Sequence, residues 1–192
     1  MGLLKTDKAS NVNALMKEAQ EQFGQAFSEM LFDSQRPFQE IIILCVGTDR
    51  ITGDSLGPLT GYKLLALFEQ KKLKYQPVVY GTLEHPVHAV NINSFVDEIY
   101  LKYPAPLVVV IDASLGLPQH IGRLTLKYGG VEPGAGVGKK MPAIGDIAIT
   151  GVVNYYAHMD YSILQNTRLN TVMKMAEVIA HGIVRGIELF IS

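Results

Sequence analysis

Two short apolar runs constrain this chain more than anything else in it. Ile41-Ile42-Ile43-Leu44-Cys45-Val46 and Leu107-Val108-Val109-Val110-Ile111 are rich in β-branched side chains and apolar at every position. A strand with one wet face alternates. A strand apolar on both faces has to be covered on both, which is the pattern of central strands in a parallel sheet flanked by helices. Runs of six and five residues fall far short of the roughly 18–20 that a membrane span needs.

The neighbouring segments fit the same architecture. Leu59, Tyr62, Leu65 and Phe68 predict a helix, residues 76–80 a strand, and residues 91–103 a helix with Ile92, Phe95, Val96 and Ile99 on one side. Pro104 and Pro106 stop that helix. The order strand, helix, strand, helix, strand predicts parallel strands with right-handed crossovers. Residues 121–128 and 147–150 add two strands, and residues 169–190 a last helix with a wide apolar face. Residues 1–9 read as a flexible tail and 10–34 as an N-terminal helix. Ser10 or Asn11 would cap it, and its stripe is Val12, Leu15, Ala19, Phe23, Phe27 and Met30. Together these predict one α/β domain over residues 1–192, a three-layer α/β/α sandwich on a mostly parallel sheet.

Composition removes several classes of function. Lys and Arg number 17 against 18 Asp and Glu, a net charge of −1, so no basic surface neutralises phosphates and no nucleic-acid partner is expected. With 48% hydrophobic and 18% charged residues, the chain is not a disordered acidic segment. The single cysteine, Cys45, can form no disulfide within the chain, which fits a reducing cytoplasm. No apolar stretch follows Lys5 and Lys8 to make a signal peptide. The expectation is a cytoplasmic protein with no membrane partner.

Open α/β sheets bind ligands beyond the carboxyl ends of their strands, where the strand order reverses. If the first three strands run 2-1-3, that point lies between the first and third. The loop after the first carries Asp49 and Asp54, and Asp112 directly follows the third apolar run. Asp54 and Asp112 are therefore the candidate catalytic pair, although either can also be read as a helix cap; Asp49 reads as a local partner of Arg50. Residues 129–138 hold five glycines and a proline, and Gly134, Gly136 and Gly138 form a candidate third wall that offers backbone N–H groups to a substrate. His85 and His88 are candidate substrate contacts. Pro86 holds His85 extended, so the two do not share a helix face as metal-binding His pairs do, and no metal or other cofactor is expected. His120, His158 and His181 read as surface or packing residues.

Three motifs fail on inspection. A phosphate-binding loop ending at Gly138-Lys139 would need glycine where Pro133 stands and Ser or Thr where Lys140 stands. No G-x-G-x-x-G follows the first strand, so no dinucleotide site is supported. Gly53-Asp54-Ser55-Leu56 spells the block that names the GDSL esterases, but no Asp in the chain has a His three residues on, and the serine mechanism lacks its base.

Four blocks carry a family resemblance: Cys45-Val46-Gly47-Thr48-Asp49-Arg50-Ile51-Thr52-Gly53-Asp54-Ser55-Leu56-Gly57-Pro58, Gly81-Thr82-Leu83-Glu84-His85-Pro86-Val87-His88-Ala89, Asp112-Ala113-Ser114-Leu115-Gly116 and Pro133-Gly134-Ala135-Gly136-Val137-Gly138-Lys139. They resemble the YyaC-type sporulation proteins of endospore formers, over about residues 40–154. That family is similar to the spore germination protease, an atypical aspartic-type peptidase that degrades small acid-soluble spore proteins. It is more distantly similar to the hydrogenase-maturation proteases, which share a phosphorylase/hydrolase-like α/β/α fold. The resemblance implies that Asp54 and Asp112 match the protease's two catalytic aspartates and that residues 133–138 match its glycine loop. It implies a sporulation- or germination-associated peptidase in the sporulating cell or forespore, with a protein or peptide substrate, small acid-soluble spore proteins among them, and allows a homo-oligomer. The chain is shorter than the germination protease, and the blocks around His85 and Asn154 follow the shorter family. Two alternatives stay open: a non-catalytic protein that binds a peptide or partner in the same cleft, and a metal-dependent maturation-type protease.

Overall fold

The computed structural model describes residues 9–34, 37–132, 143–156 and 162–192. Its centre is one six-stranded sheet made of β1 (Ala9–Asn13), β2 (Glu40–Cys45), β3 (Val78–Tyr80), β4 (Pro106–Gly116), β5 (Arg123–Tyr128) and β6 (Ile147–Tyr155), in the order β1-β5-β6-β4-β2-β3. The β3-β2-β4 order is the 2-1-3 arrangement expected of the first three apolar strands, and all the pairs from β3 to β6 are parallel. Only β5 runs against its neighbours. The helices are α1 (Ala19–Phe32), α2 (Leu56–Lys71), α3 (Ile92–Lys102), α4 (Ser162–Gln165) and α5 (Leu169–Phe190).

The apolar strands are buried on both faces because each face feeds a different core. Ile41, Ile43, Cys45, Val109 and Ile111 face the larger one, shared with Phe23 and Phe27 of α1, Leu64 of α2 and Ile179 and Ile183 of α5. Ile42, Leu44, Val108 and Val110 face the smaller, closed by Ile92 and Ile99 of α3. Cys45 is fully buried, which pushes its thiol far above the usual range and makes it an inert core residue, as its mid-strand position implies.

The N-terminal helix begins later than its stripe suggests. Residues 9–13 form an edge strand antiparallel to β5, from Ala9↔Lys127 to Asn13↔Arg123. Val12 is buried in that strand, and Leu15 lies 51% exposed in the following turn. Val12 and Leu15 keep helical spacing with Ala19 by coincidence. Pairing with β5 satisfies the backbone of this segment, a long-range contact that overrides a local pattern. The helical stripe holds from Ala19 onward, through Phe23, Phe27 and Met30.

β4 and β6 also extend past their apolar cores. Asp112 is not the residue after the strand but a member of it, paired with Thr150 of β6. Burial falls off from Asp112 onward while the ladder with β6 continues to Gly116, with a register shift after Ser114. The apolar run marks where the strand is covered, and hydrogen bonding carries it further.

At the end of β3, Gly81 turns the chain with φ +86°, and a methyl group there would overlap the carbonyl oxygen of Cys45. Only glycine meets both demands. Gly81→Ala is expected to destabilise the protein by about 2–4 kcal/mol in urea unfolding followed by circular dichroism; an unchanged midpoint would mean the turn is looser than this packing implies.

Candidate active site

The parallel pairing of β2 with β4 runs in register from Glu40↔Pro106 to Cys45↔Ile111, and the Val46 N–H extends it by donating to the Ile111 carbonyl at 2.8 Å. Whatever leaves the carboxyl end of β2 therefore starts beside Asp112. The Gly47 N–H donates to the Val87 carbonyl at 2.8 Å, which stitches the loop after β3 alongside. The Thr48 N–H donates to the Asp54 carbonyl at 3.0 Å, and the Asp54 N–H to the Ile51 carbonyl at 2.9 Å. These bonds fold the chain back into a single 3-10 turn, Thr52–Asp54, whose last residue is brought towards the sheet.

Neither aspartate acts as a helix cap. Ser55 is the N-cap of α2 and no side chain bonds there. Asp112 accepts a hydrogen bond from the adjacent Ala113 N–H at 2.8 Å, and the next helical turn begins only after Leu117. The Ser55 hydroxyl is buried and donates to the Thr52 carbonyl at 2.7 Å. It closes the turn instead of standing free as a nucleophile.

Both carboxyls are half-buried, and each is pushed well above the ordinary carboxylate range. Burial raises Asp54 to about 6; the Thr48 N–H and the positive potential of His88 pull it partly back. Burial raises Asp112 to about 7, the charge of Asp54 adds to that rise, and the Ala113 N–H opposes it. The two groups are close enough for the ionisation of one to disfavour that of the other.

His88 is half-buried at the start of α3, where its carbonyl accepts the Asn91 and Ile92 N–H groups, each at 3.0 Å. Its own N–H donates to Asn91 Oδ1 at 2.8 Å. Its Nδ1 accepts the Val90 N–H at 3.3 Å. His85 is exposed, its N–H held by Thr82 Oγ1 at 3.1 Å, and no described contact joins its ring to either carboxyl. Gly134, Gly136 and Gly138 lie outside the described residues, as does His158. His181 bonds Glu177 at 3.0 Å on the surface of α5, whereas His120 lines a cleft. Asp49 is exposed. Among the described residues, no three His, Cys, Asp or Glu side chains gather to hold a metal ion.

One support of the site was not legible in the sequence. A methyl group on Gly53 would come within 2.7–2.9 Å of Leu164 and Thr167, so the turn carrying Asp54 rests directly on α4 and the residues after it. That platform is tied to β6 by Asn154, whose Nδ2 donates to the Ile163 carbonyl at 3.0 Å and to Thr167 Oγ1 at 3.2 Å. The Thr167 hydroxyl in turn donates to the Ile163 carbonyl at 3.0 Å. Asn154 falls in a block noted only for its resemblance; its partner is 13 residues away in sequence and no spacing rule points to it.

Comparison with known proteins places this geometry in a group. The family described as "Protein of unknown function (DUF1256)" matches residues 11–182. The chain is 46% identical over 143 residues to the uncharacterized protein YyaC of Bacillus subtilis (strain 168), covering 74% of this chain and 67% of that one. It is 27% identical over 113 residues to the germination protease of Oceanobacillus iheyensis, 54% of this chain but 31% of the protease. Among solved structures it is similar to the [NiFe] hydrogenase maturation protease HycI from Thermococcus kodakarensis KOD1, with a TM-score of 0.38 and 16% identity over 81% of this chain and 99% of that one. No described helix is long and apolar enough to cross a membrane. The match takes in the sheet from β1 to β6, both aspartates and most of α5, and the chain belongs to the DUF1256 family.

Proposed function

We propose that this protein is a peptidase of the acid type, associated with sporulation or germination, in which Asp54 and Asp112 share one proton. The observation that carries this reading is the pair itself: two half-buried carboxyls, one on β4 and one on the turn that follows its parallel neighbour β2, raised to about 6 and about 7, one partly by the charge of the other. The partial similarity to a germination protease favours peptide hydrolysis over other uses of such a pair.

The electrostatics support one division of roles. The charge of Asp54 raises Asp112 further, so Asp112 is read as the acid that keeps its proton and Asp54 as the base. Asp54 takes a proton from water as the water oxygen bonds to the peptide carbonyl carbon. Asp112 donates to the carbonyl oxygen, so that no bare oxyanion forms. Asp54 then returns its proton to the leaving nitrogen as the C–N bond breaks, and the hydroxyl proton goes back to Asp112. The sum is one peptide bond and one water converted to a carboxylic acid and an amine, with both aspartates restored.

The direct test is incubation with small acid-soluble spore proteins, with cleavage read by mass spectrometry. Turnover is expected to peak between about pH 6 and 7, falling on the acid side as Asp54 is protonated and on the alkaline side as Asp112 is deprotonated. Asp54→Asn and Asp112→Asn should each lower it by at least about a hundredfold. Absence of cleavage by the wild-type protein across this range would favour binding in the same cleft. Loss of wild-type activity to a chelator would favour the metal-dependent alternative.

A stability measurement checks the electrostatics separately. An unfolded Asp titrates near 4, so between that pH and about 7 the folded protein holds the extra protons and stability falls as pH rises. Asp112→Asn removes this penalty while keeping an oxygen for the Ala113 N–H. It is expected to stabilise the fold at pH 8 by about 1–3 kcal/mol and to change little at pH 4. Destabilisation at both pH values would make Asp112 a structural residue.

A further inference from the structure

Beyond β4 the two faces of the sheet differ: one is packed on the larger core, and the other is only partly covered, around Ala148, Val131 and Ile144. Val12, Leu124, Leu126 and Ile149 are buried in the core shared with α1 and α5. The alternate residues Arg123, Thr125, Thr150 and Val152 remain half-buried, and Asn11 and Asn13 are exposed. The helix on this side, α3, closes its core over Ile42, Leu44, Val108 and Val110, on β2 and β4. The register sets Asp112 beside Thr150, Thr150 beside Thr125 and Thr125 beside Asn11. Partners in register project from the same face, and the Thr125 hydroxyl donates to Asn11 Oδ1 at 2.8 Å accordingly. At about 4.8 Å per strand, this polar row runs about 14 Å from Asp112 to Asn11.

The row ends at a cleft of about 340 Å³ whose polar lining is Asn11, Asn13, Gln119, His120 and Arg123, with no carboxylate among the described residues that line it. Asn11 Oδ1 accepts from the Thr125 hydroxyl, and Asn13 Oδ1 from the Leu15 N–H at 3.0 Å, which turns both amides by their oxygens toward the protein. Their NH2 groups are what remains to bind. Arg123 forms no ion pair among the described residues. A guanidinium, an imidazole and amide donors around one opening, with no acid among the described lining residues, suit a carboxylate, which the arginine fork can bind with two parallel hydrogen bonds.

We propose that this cleft binds a carboxylate of a peptide whose extended backbone follows the polar row from the aspartate pair. At about 3.4 Å per residue, the bound acid lies about four residues from the bond being cleaved. The course of the peptide rests on the peptidase reading; the affinity of the cleft for a carboxylate does not.

The test is an NMR titration of the full chain, followed through the side-chain amides of Asn11, Asn13 and Gln119 and the Arg123 Nε–H. Three Ala/Ser pentapeptide probes are used: one with a free C-terminal carboxylate, one C-terminally amidated with an internal Glu, and the same amidated peptide with Gln in place of Glu. Saturable shifts are expected with at least one acidic probe and not with the Gln peptide, and the acidic probe that binds identifies a chain end or an acidic side chain as the source. Arg123→Gln should weaken binding at least tenfold. His120→Gln, on a different element, should weaken it also, so that a failure of one variant to fold leaves the other to decide. Absence of saturable shifts with either acidic probe, or affinity unchanged in both variants, would overturn the proposal. Carboxylate binding without cleavage of spore proteins would leave the cleft standing and remove the peptidase; cleavage without carboxylate binding would do the reverse.

Discussion

The site depends on the parallel pairing of β2 with β4. Both strands are apolar on both faces, so each is driven into the centre of the sheet, and two central strands that cross over through a helix must run the same way. Their carboxyl ends then lie side by side, with Val46 bonded to Ile111 just before the chains diverge. Asp112 continues one strand and the turn ending in Asp54 folds back beside it. The apolar core and the acid pair are thus consequences of one register, and moving β2 by one residue relative to β4 would exchange the side chains its two cores receive and shift the loop carrying Asp54 away from Asp112.

That arrangement works against stability at neutral pH. Two carboxyls are withdrawn from water with only backbone N–H groups and His88 to offset the cost. Nothing in the core requires them, since Ala113 would keep its hydrogen bond with an Asn in place of Asp112. Titratable groups held in such a costly arrangement are concentrated at functional sites. Asn154 and Thr167 fit the same account: they hold a platform under Gly53 that fixes where the Asp54 turn sits.

The architecture was legible because covered strands leave a strong signature. Residues 41–46 and 107–111 announced a parallel pair, and α5 was readable from its apolar face alone, over Leu169–Phe190. The first strand was not, because Val12 is apolar in either reading and only its long-range partner Leu124 decides between them. The two aspartates stand out as candidates from their positions after apolar runs, a rule of topology. Asn154 and the row from Asp112 through Thr150 and Thr125 to Asn11 were not, because registers across four strands and contacts with α4 exist only once the chain has folded. His120 looked like a surface residue for the same reason: its neighbours Asn11 and Asn13 come from the opposite end of the sequence.

The central claim is that Asp54 and Asp112 form one proton-sharing unit. The most direct measurement is a carbon-13 NMR titration of the aspartate carboxyl groups in the wild-type protein and in Asp54→Asn. The account expects two coupled transitions near pH 6 and pH 7, and a lower value for Asp112 once the neighbouring charge is removed. Two independent transitions near 4, or an Asp112 value unmoved by Asp54→Asn, would contradict it.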